Sequence, residues 1–183
     1  MRKVIVLSIL SAAVALAPAL SAQDEGHVIA VSSLISREAV APGETFKAAV
    51  IVRVQAGYHI NDNAPLDEFM IPTTLVLDDH PDFDVVETFF PKGRRARFSY
   101  SETELVVYEG EVVLGALLKA KGGIAAGPRL IKAALSYQAC DQESCLPPKE
   151  IAFEIAVPVS IDADCTDVHP EVFKKLRFKS LRK

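Results

Sequence analysis

Residues 151–160 read IAFEIAVPVS, and large apolar side chains alternate with small or polar ones along this stretch. Alternation with a period of two is typical of a strand that turns one face to the core and the other to solvent. One-sided strands of this kind occur mainly in antiparallel sheets. The stretch therefore predicts an antiparallel β-strand, whose core face consists of Ile151, Phe153, Ile155, Val157 and Val159.

The same alternation recurs upstream, and turn signals rich in Gly, Pro, Asn and Asp separate the runs. Seven or eight short strands at this spacing predict an all-β fold, an immunoglobulin-like antiparallel β-sandwich. The Cys-Trp-Cys core of true immunoglobulin domains is absent, so the expected likeness is one of architecture. The clearer candidates are residues 45–55, 111–120 (less regular) and 129–138, and the weaker ones are residues 28–35, 73–77, 85–89 and 105–108.

The two ends of the chain differ from this body. Residues 1–22 combine a basic start, an apolar run and small residues before Gln23, which predicts a cleaved signal peptide and export. We expect a single domain over residues 23–163, with no transmembrane segment in the mature chain. Residues 164–183 are predicted to form a basic tail, since six of the last ten residues are Lys or Arg. The tail contains the one helical candidate, residues 170–183, and the open interpretations are contact with anionic lipid, contact with another protein, or a frayed end.

Composition excludes some functions. The chain has a formal net charge of −4, a poor basis for binding nucleic acid. We identify no phosphate-binding glycine loop and no Ser-His-Asp signature, and we expect no cofactor and no bound metal. His59, next to Tyr58, is a candidate for a position near the cysteine turn, but we favour an ordinary surface or satisfied core histidine.

The residues with most chemistry are Cys140 and Cys145, within residues 137–148, YQACDQESCLPP. They lie between two predicted strands, and a turn there can bring them within disulfide distance. A structural disulfide that closes so short a loop removes only about 2 kcal/mol of denatured-state entropy. Structural and exchangeable disulfides both remain open on spacing alone. Asp141 and Glu143 place negative charge beside the sulfurs, which disfavours thiolate and predicts a reducing pair.

Three segments resemble a known family. Residues 137–140 (YQAC) with residues 145–150 (CLPPKE) are similar to the cysteine motif of the N-terminal periplasmic domain of the thiol:disulfide interchange protein DsbD. Residues 57–60 (GYHI) and 107–110 (VYEG) also fit that family. The likeness extends over roughly residues 28–159, and the cysteine motif is its specific part.

The resemblance implies an immunoglobulin-like sandwich that works in the periplasm as a thiol–disulfide oxidoreductase. Its cysteine pair would accept electrons from a membrane-linked thiol donor and pass them to thioredoxin-fold proteins. Cys145 would form the mixed disulfide and Cys140 would resolve it. Phe98, on a cap loop, would shield the pair, and Tyr137 and Tyr58 are candidate walls of the site.

The chain also departs from the family pattern. Residues 94–97 (RRAR) stand where the family has an acidic pair, and one residue fewer separates the cysteines. The membrane and thioredoxin-like domains of the full transporter are missing from this sequence, so we expect either a stand-alone relay that needs a separate electron source or a relative whose redox role has changed.

Two other functional classes stay open at this point. One is a non-catalytic secreted sandwich that binds a protein or ligand and carries a structural disulfide. The other is a zinc site built from Cys140, Cys145, Cys165 and His169. Cys165 by itself is interpreted as a free or buried thiol.

Overall fold

The computed structural model describes residues 28–67, 69–161 and 166–181. The predicted signal peptide and Cys165 lie outside the described residues. The described chain contains eleven strands, one helical turn and one 3₁₀ turn. In chain order these are β1 Ile29–Ile35, β2 Thr45–Val54, β3 His59–Asn61, β4 Thr74–Leu77, β5 Phe83–Phe89, β6 Arg94–Ala96, β7 Leu105–Tyr108, β8 Glu111–Ala120, β9 Gly127–Tyr137, β10 Ala139–Cys140, β11 Lys149–Val159, α1 Pro170–Phe173 and the 3₁₀ turn Lys179–Leu181.

The strands form three antiparallel sheets. The first sheet has the order β1-β2-β8-β5, and the second has the order β11-β9-β4. A third, smaller sheet, called here the site sheet, has the order β10-β3-β7-β6. The predicted all-β antiparallel fold is confirmed, and each of the eight strand candidates is a strand. The three strands that the sequence did not predict are β3, β6 and β10, and all of them belong to the site sheet.

The core lies between the first and second sheets. Alternate residues of β2 and β8 turn inward, and they meet the inward residues of β9 and β11. The stretch that predicted the fold behaves as expected, because Ile155, Val157 and Val159 are buried while Ala152, Glu154, Ala156 and Pro158 are exposed. A face of large aliphatic side chains removed from water is the main favourable term in forming such a sandwich.

Strand β8 alternates poorly because both of its faces are covered. Its outer face carries Val113 and Leu117, which form a buried cluster with three residues of the tail: Phe173, Leu176 and Phe178. Gly115 makes room for this contact, since a Cβ atom there would lie 2.7 Å from Leu176 Cδ1 and 3.1 Å from Phe178 Cζ. The apolar side chains of the tail therefore complete the outer surface of the first sheet.

The tail is not one continuous helix over residues 170–183. It forms a single helical turn, then an irregular stretch, then a 3₁₀ turn. An isolated helix of this length is marginal in water, and here packing against the sheet decides the path of the chain. Two backbone hydrogen bonds join its beginning to the loop after β1, from Val168 N to Ser36 O and from Glu38 N to Thr166 O. The frayed-end interpretation is therefore wrong for residues 166–181.

A carboxylate on β5 holds the last part of the tail. Glu87 accepts hydrogen bonds from the backbone N–H groups of Lys179 and Ser180, at 2.8 and 2.9 Å, and from the Ser180 hydroxyl at 2.6 Å. These hydrogen bonds lower the pKa of Glu87 to about 2, and the bond from the Ser180 hydroxyl has the largest effect.

We expect Leu176→Ala to destabilise the protein by about 2–5 kcal/mol, because it empties a buried site against Gly115. Leu181→Ala is the matched control, since Leu176 is 5% exposed and Leu181 is 49% exposed. The control should change the free energy of unfolding by no more than about 0.5 kcal/mol. Denaturant unfolding measures both. Equal effects of the two substitutions would contradict the docked position of the tail.

Acid should weaken the contact between the tail and β5. The pKa of Glu87 is lower in the folded protein than in the unfolded chain, so its stabilising effect is present above the unfolded value and is lost as the pH falls toward 2. In melting curves recorded between pH 5 and pH 2, Glu87→Gln should lose less melting temperature on acidification than the wild type. Glu154→Gln, at an exposed position on β11, should follow the wild type. An unchanged pH dependence in Glu87→Gln would disprove this role of Glu87.

Candidate functional site

The site sheet positions the first cysteine of the pair. β10 pairs with β3 so that Cys140 lies directly opposite His59 and Ala139 lies opposite Ile60. β3 in turn pairs with β7, which joins the strand pair to the rest of the site sheet. Cys140 is fully buried as a result.

The second cysteine returns to the first across a tight hairpin. A disulfide joins Cys140 to Cys145, whose Cα atoms are 3.9 Å apart and whose backbones face each other as an antiparallel bridge. The hairpin is closed by hydrogen bonds from Asp141 N to Ser144 O at 2.9 Å and from Leu146 N to Ala139 O at 2.8 Å. Cys145 is half-buried, so the two halves of the pair differ in accessibility.

Asp141 closes the turn between the cysteines. Its Oδ1 atom accepts hydrogen bonds from the backbone N–H groups of Glu143 and Ser144, both at 2.8 Å. These hydrogen bonds hold the pKa of Asp141 below its usual range. The carboxylate is thus charged at neutral pH and lies in the loop that the disulfide closes.

The cap loop, residues 97–100, contacts the cysteine hairpin directly. Ser99 Oγ donates a hydrogen bond of 2.6 Å to the carbonyl oxygen of Gln142, which lies between the two cysteines. Phe98 is 7% exposed and packs in a small cluster with Leu105 and Val107, against Met70 and Tyr100. The loop is therefore attached both to the hairpin and to the site sheet.

His59 lies between β10 and the cap loop. Its ring stacks on that of Phe98, with centroids 3.9 Å apart and planes 15° apart, and its Nε2 atom is 2.6 Å from the Tyr100 hydroxyl oxygen. The residue is 1% exposed. Burial lowers its pKa, and the charges of Glu109, Arg94 and Asp141 have smaller and partly opposing effects. His59 is therefore a buried, hydrogen-bonded core histidine, as the sequence interpretation allowed. Its ring contacts the predicted shield Phe98, and its backbone pairs with Cys140.

The two tyrosines named from the sequence occupy different surroundings. Tyr58 is half-buried and lines a cleft of about 360 Å³ together with His59, Glu109 and Gln142. Tyr137 ends β9, is buried in the sandwich core, and shares a cluster with the partly buried Leu146 of the hairpin. Tyr58 thus borders the cysteine hairpin from the surface, whereas Tyr137 supports it from the core.

The basic run before the cap loop is largely neutralised by acidic neighbours. Arg94 forms a two-point ion pair with Glu109, at 2.6 and 3.0 Å, and Arg95 pairs with Glu104 at 3.0 Å. Glu109 also borders the cleft beside His59. The replacement of an acidic pair by arginines therefore leaves little unbalanced positive charge on β6.

The zinc interpretation finds no support in the described part of the chain. Cys140 and Cys145 are bonded to each other, and His169 lies near Glu171 at the start of α1. Within residues 28–67, 69–161 and 166–181, no three His, Cys, Asp or Glu side chains are grouped to hold a metal ion. Over the same ranges, no helix has the length and apolar character needed to cross a bilayer.

A protein-family model described as "Thiol:disulfide interchange protein DsbD, N-terminal" matches residues 27–156. The match covers well over half of the chain and includes the cysteine hairpin, the cap loop and the site sheet. The chain belongs to the DsbD N-terminal domain family. The predicted family and the predicted thiol–disulfide exchange module are both confirmed. Residues 157–183, and with them the docked tail, lie outside the match.

Two solved structures are similar to this DsbD N-terminal family member. The DsbD N-terminal domain of Neisseria meningitidis in the reduced form is 19% identical, with 70% of this chain and 85% of that chain covered and a TM-score of 0.38. The N-terminal periplasmic domain of ScsB from Proteus mirabilis is 13% identical, with coverage of 86% and 57% and a TM-score of 0.47. A comparison with curated protein sequences gives no match.

In this family member, the charge on Asp141 should raise the free energy of the thiolate form. Asp141→Asn keeps a side-chain oxygen that can accept the two hydrogen bonds of the turn, but it removes the charge. We expect a less negative midpoint potential, shifted by tens of millivolts at most, because the reduced and ionised pair becomes more stable. Asp79→Asn, at an exposed position in the loop between β4 and β5, is the matched control. Titration in thiol–disulfide buffers measures the potential, and a shift to more negative values would refute this role.

Proposed function

We propose that this protein is a periplasmic relay that passes reducing equivalents to partner proteins through Cys140 and Cys145. The observation that carries the proposal is the asymmetric pair, in which a half-buried Cys145 is bonded to a fully buried Cys140 in a hairpin that is hydrogen-bonded to the cap loop. An exchange reaction needs one sulfur within reach of a partner and a second sulfur held close to the first. The described hairpin offers both.

In the reduced form, the thiolate of Cys145 attacks one sulfur of a partner disulfide. An S–S bond forms between the two proteins, and the partner's other sulfur leaves as a thiolate and takes up a proton. Cys140, deprotonated in turn, then attacks the sulfur of Cys145, which restores the Cys140–Cys145 disulfide and releases the partner as a dithiol. Two electrons pass to the partner, and a dithiol donor must return two electrons for the next cycle.

We assign roles to the residues around the pair on the same basis. Phe98 shields the pair from unspecific thiols, which its burial within the cap loop supports. Tyr58 and Tyr137 are walls of the site, one on the cleft and one in the core. Movement of the cap loop away from the hairpin would break the hydrogen bond between Ser99 and Gln142.

The partners that fit this chemistry are thioredoxin-fold proteins as acceptors and a membrane-linked thiol protein as donor. The negative charge on Asp141 supports transfer from this protein to its acceptors, since a destabilised thiolate makes the dithiol a better electron donor. A midpoint potential near that of a strong oxidant would contradict this direction. We further propose residues 1–22 as a cleaved signal peptide, residues 23–163 as the exchange domain and residues 164–183 as its tail.

The decisive experiment is trapping of the mixed disulfide. Cys140→Ala leaves the accessible Cys145 without a resolving sulfur, so it should accumulate a covalent adduct with an acceptor in cells that export the protein. Cys145→Ala should accumulate much less, because the remaining sulfur belongs to a fully buried residue. Both variants are made in a Cys165→Ala background so that the third cysteine cannot contribute.

Non-reducing electrophoresis and mass spectrometry identify the adduct and its partner. A structural disulfide predicts a different pattern, in which neither variant forms a specific adduct and the wild-type disulfide resists equilibration with a dithiol. That pattern would favour a non-catalytic binding sandwich over the relay.

A further inference from the structure

We propose that His59 is a positioning residue that holds the cap loop closed over the disulfide and thereby limits the rate at which an external thiol reaches it. This inference rests on the proposed function, since it concerns access to the same sulfur pair. The Cys140–His59 pairing and the contacts of His59 with Phe98 and Tyr100 carry it.

The backbone of His59 is fixed independently of the cap loop. His59 pairs with Cys140 of β10 on one side of β3, and the two residues that follow it, Ile60 and Asn61, pair with β7 on the other side. The neighbouring Asn61 adds an anchor, because its side-chain amide donates a hydrogen bond of 2.9 Å to Ile71 O. The imidazole is therefore held in a fixed position, against which the rings of the cap loop can pack.

The cap loop rests on this support through two aromatic rings. The rings of His59, Phe98 and Tyr100 are parallel to within 15°, and the centroids of Phe98 and Tyr100 are 5.6 Å apart. Apolar neighbours could hold Phe98 without the histidine, since it also packs on Leu105 and Val107. Tyr100 depends more on His59 than Phe98 does, because its partly buried hydroxyl group requires a hydrogen-bond partner.

The hydrogen bond between His59 and Tyr100 joins two uncharged groups. Burial and the charge of Asp141 raise the pKa of Tyr100 to about 12, so the phenol keeps its proton. Burial lowers the pKa of His59, which keeps the imidazole uncharged at neutral pH. A neutral imidazole can accept a hydrogen bond from the phenol O–H at Nε2, or donate a hydrogen bond from Nε2–H to the phenol oxygen, and either tautomer holds Tyr100 in place.

Opening the cap loop breaks this bond together with that from Ser99 to Gln142. Removing either partner of the His59–Tyr100 bond should therefore raise the population of open cap loop. A neutral hydrogen bond typically contributes enough to change an equilibrium by about threefold to tenfold. The rate of attack on the disulfide should rise by the same factor.

The test measures the rate constant for reduction of the disulfide by dithiothreitol in four proteins: the wild type, His59→Phe, Tyr100→Phe and the double variant. His59→Phe keeps an aromatic ring for the stack and loses the nitrogen, and Tyr100→Phe loses one oxygen atom. Each single variant should react about threefold to tenfold faster than the wild type. The double variant should be no faster than the singles, since all three lack the same bond.

A control variant separates positioning from loss of stability. His80→Phe is the matched control, because the ring of His80 also contacts a phenylalanine, Phe83. Phe83 pairs with Ala120, at the end of β8 that lies away from the site sheet. This variant should react at the wild-type rate even if its melting temperature falls. Should His59→Phe fail to fold, Tyr100→Phe with the control still decides the question.

The outcomes distinguish this inference from the function on which it rests. A disulfide that equilibrates with dithiothreitol at unchanged rates in the single variants overturns the role of His59 and leaves the relay intact. Rate increases that multiply in the double variant overturn the shared bond as their cause. A disulfide that dithiothreitol cannot reduce in any variant overturns the relay and the positioning role together.

Discussion

The double pairing of Cys140 is the constraint on which the site depends. On one side its backbone pairs with His59 in the site sheet, and on the other side it pairs with Cys145 across the hairpin. The first pairing buries Cys140 and places an imidazole under the cap loop. The second brings Cys145 within bonding distance while leaving it half-buried. A shift of one residue in either pairing would separate these features, because neighbouring residues of a strand point to opposite faces.

Alternation predicted the long strands well, since each has one face in a shared core. It was least regular in β8, and the structure gives the reason: residues of the tail cover Val113 and Leu117 on the other face. The strands β3, β6 and β10 are two or three residues long, which is too short to show any period. Together with β7 they build the site sheet, so three of the four strands nearest the chemistry were not predicted from residue patterns.

The site residues also fall into two groups: those that the sequence identified and those that only the folded structure revealed. The cysteines were identifiable from their turn and from the family likeness, and Phe98 was identifiable from the likeness alone. The roles of His59 and Gln142 depend on contacts across 39 and 43 residues of chain, to Phe98 and Ser99, and no local motif records such distances. The ion pairs of Arg94 and Arg95 also became visible only when β6 was placed beside β7. Composition showed a basic run, whereas the folded protein shows a run balanced by Glu109 and Glu104.

The docked tail has a mechanical consequence for the hairpin. Along the chain, Cys145 is followed by β11 and then by the tail, so tension applied beyond residue 181 would travel back toward the sulfur. The tail, however, is fastened to the first sheet by Phe173, Leu176 and Phe178 and by the carboxylate of Glu87. A pull on that end is resisted at the first sheet before it loads β11. The geometry of the cysteine pair is thereby insulated from forces on the carboxyl-terminal side of the protein.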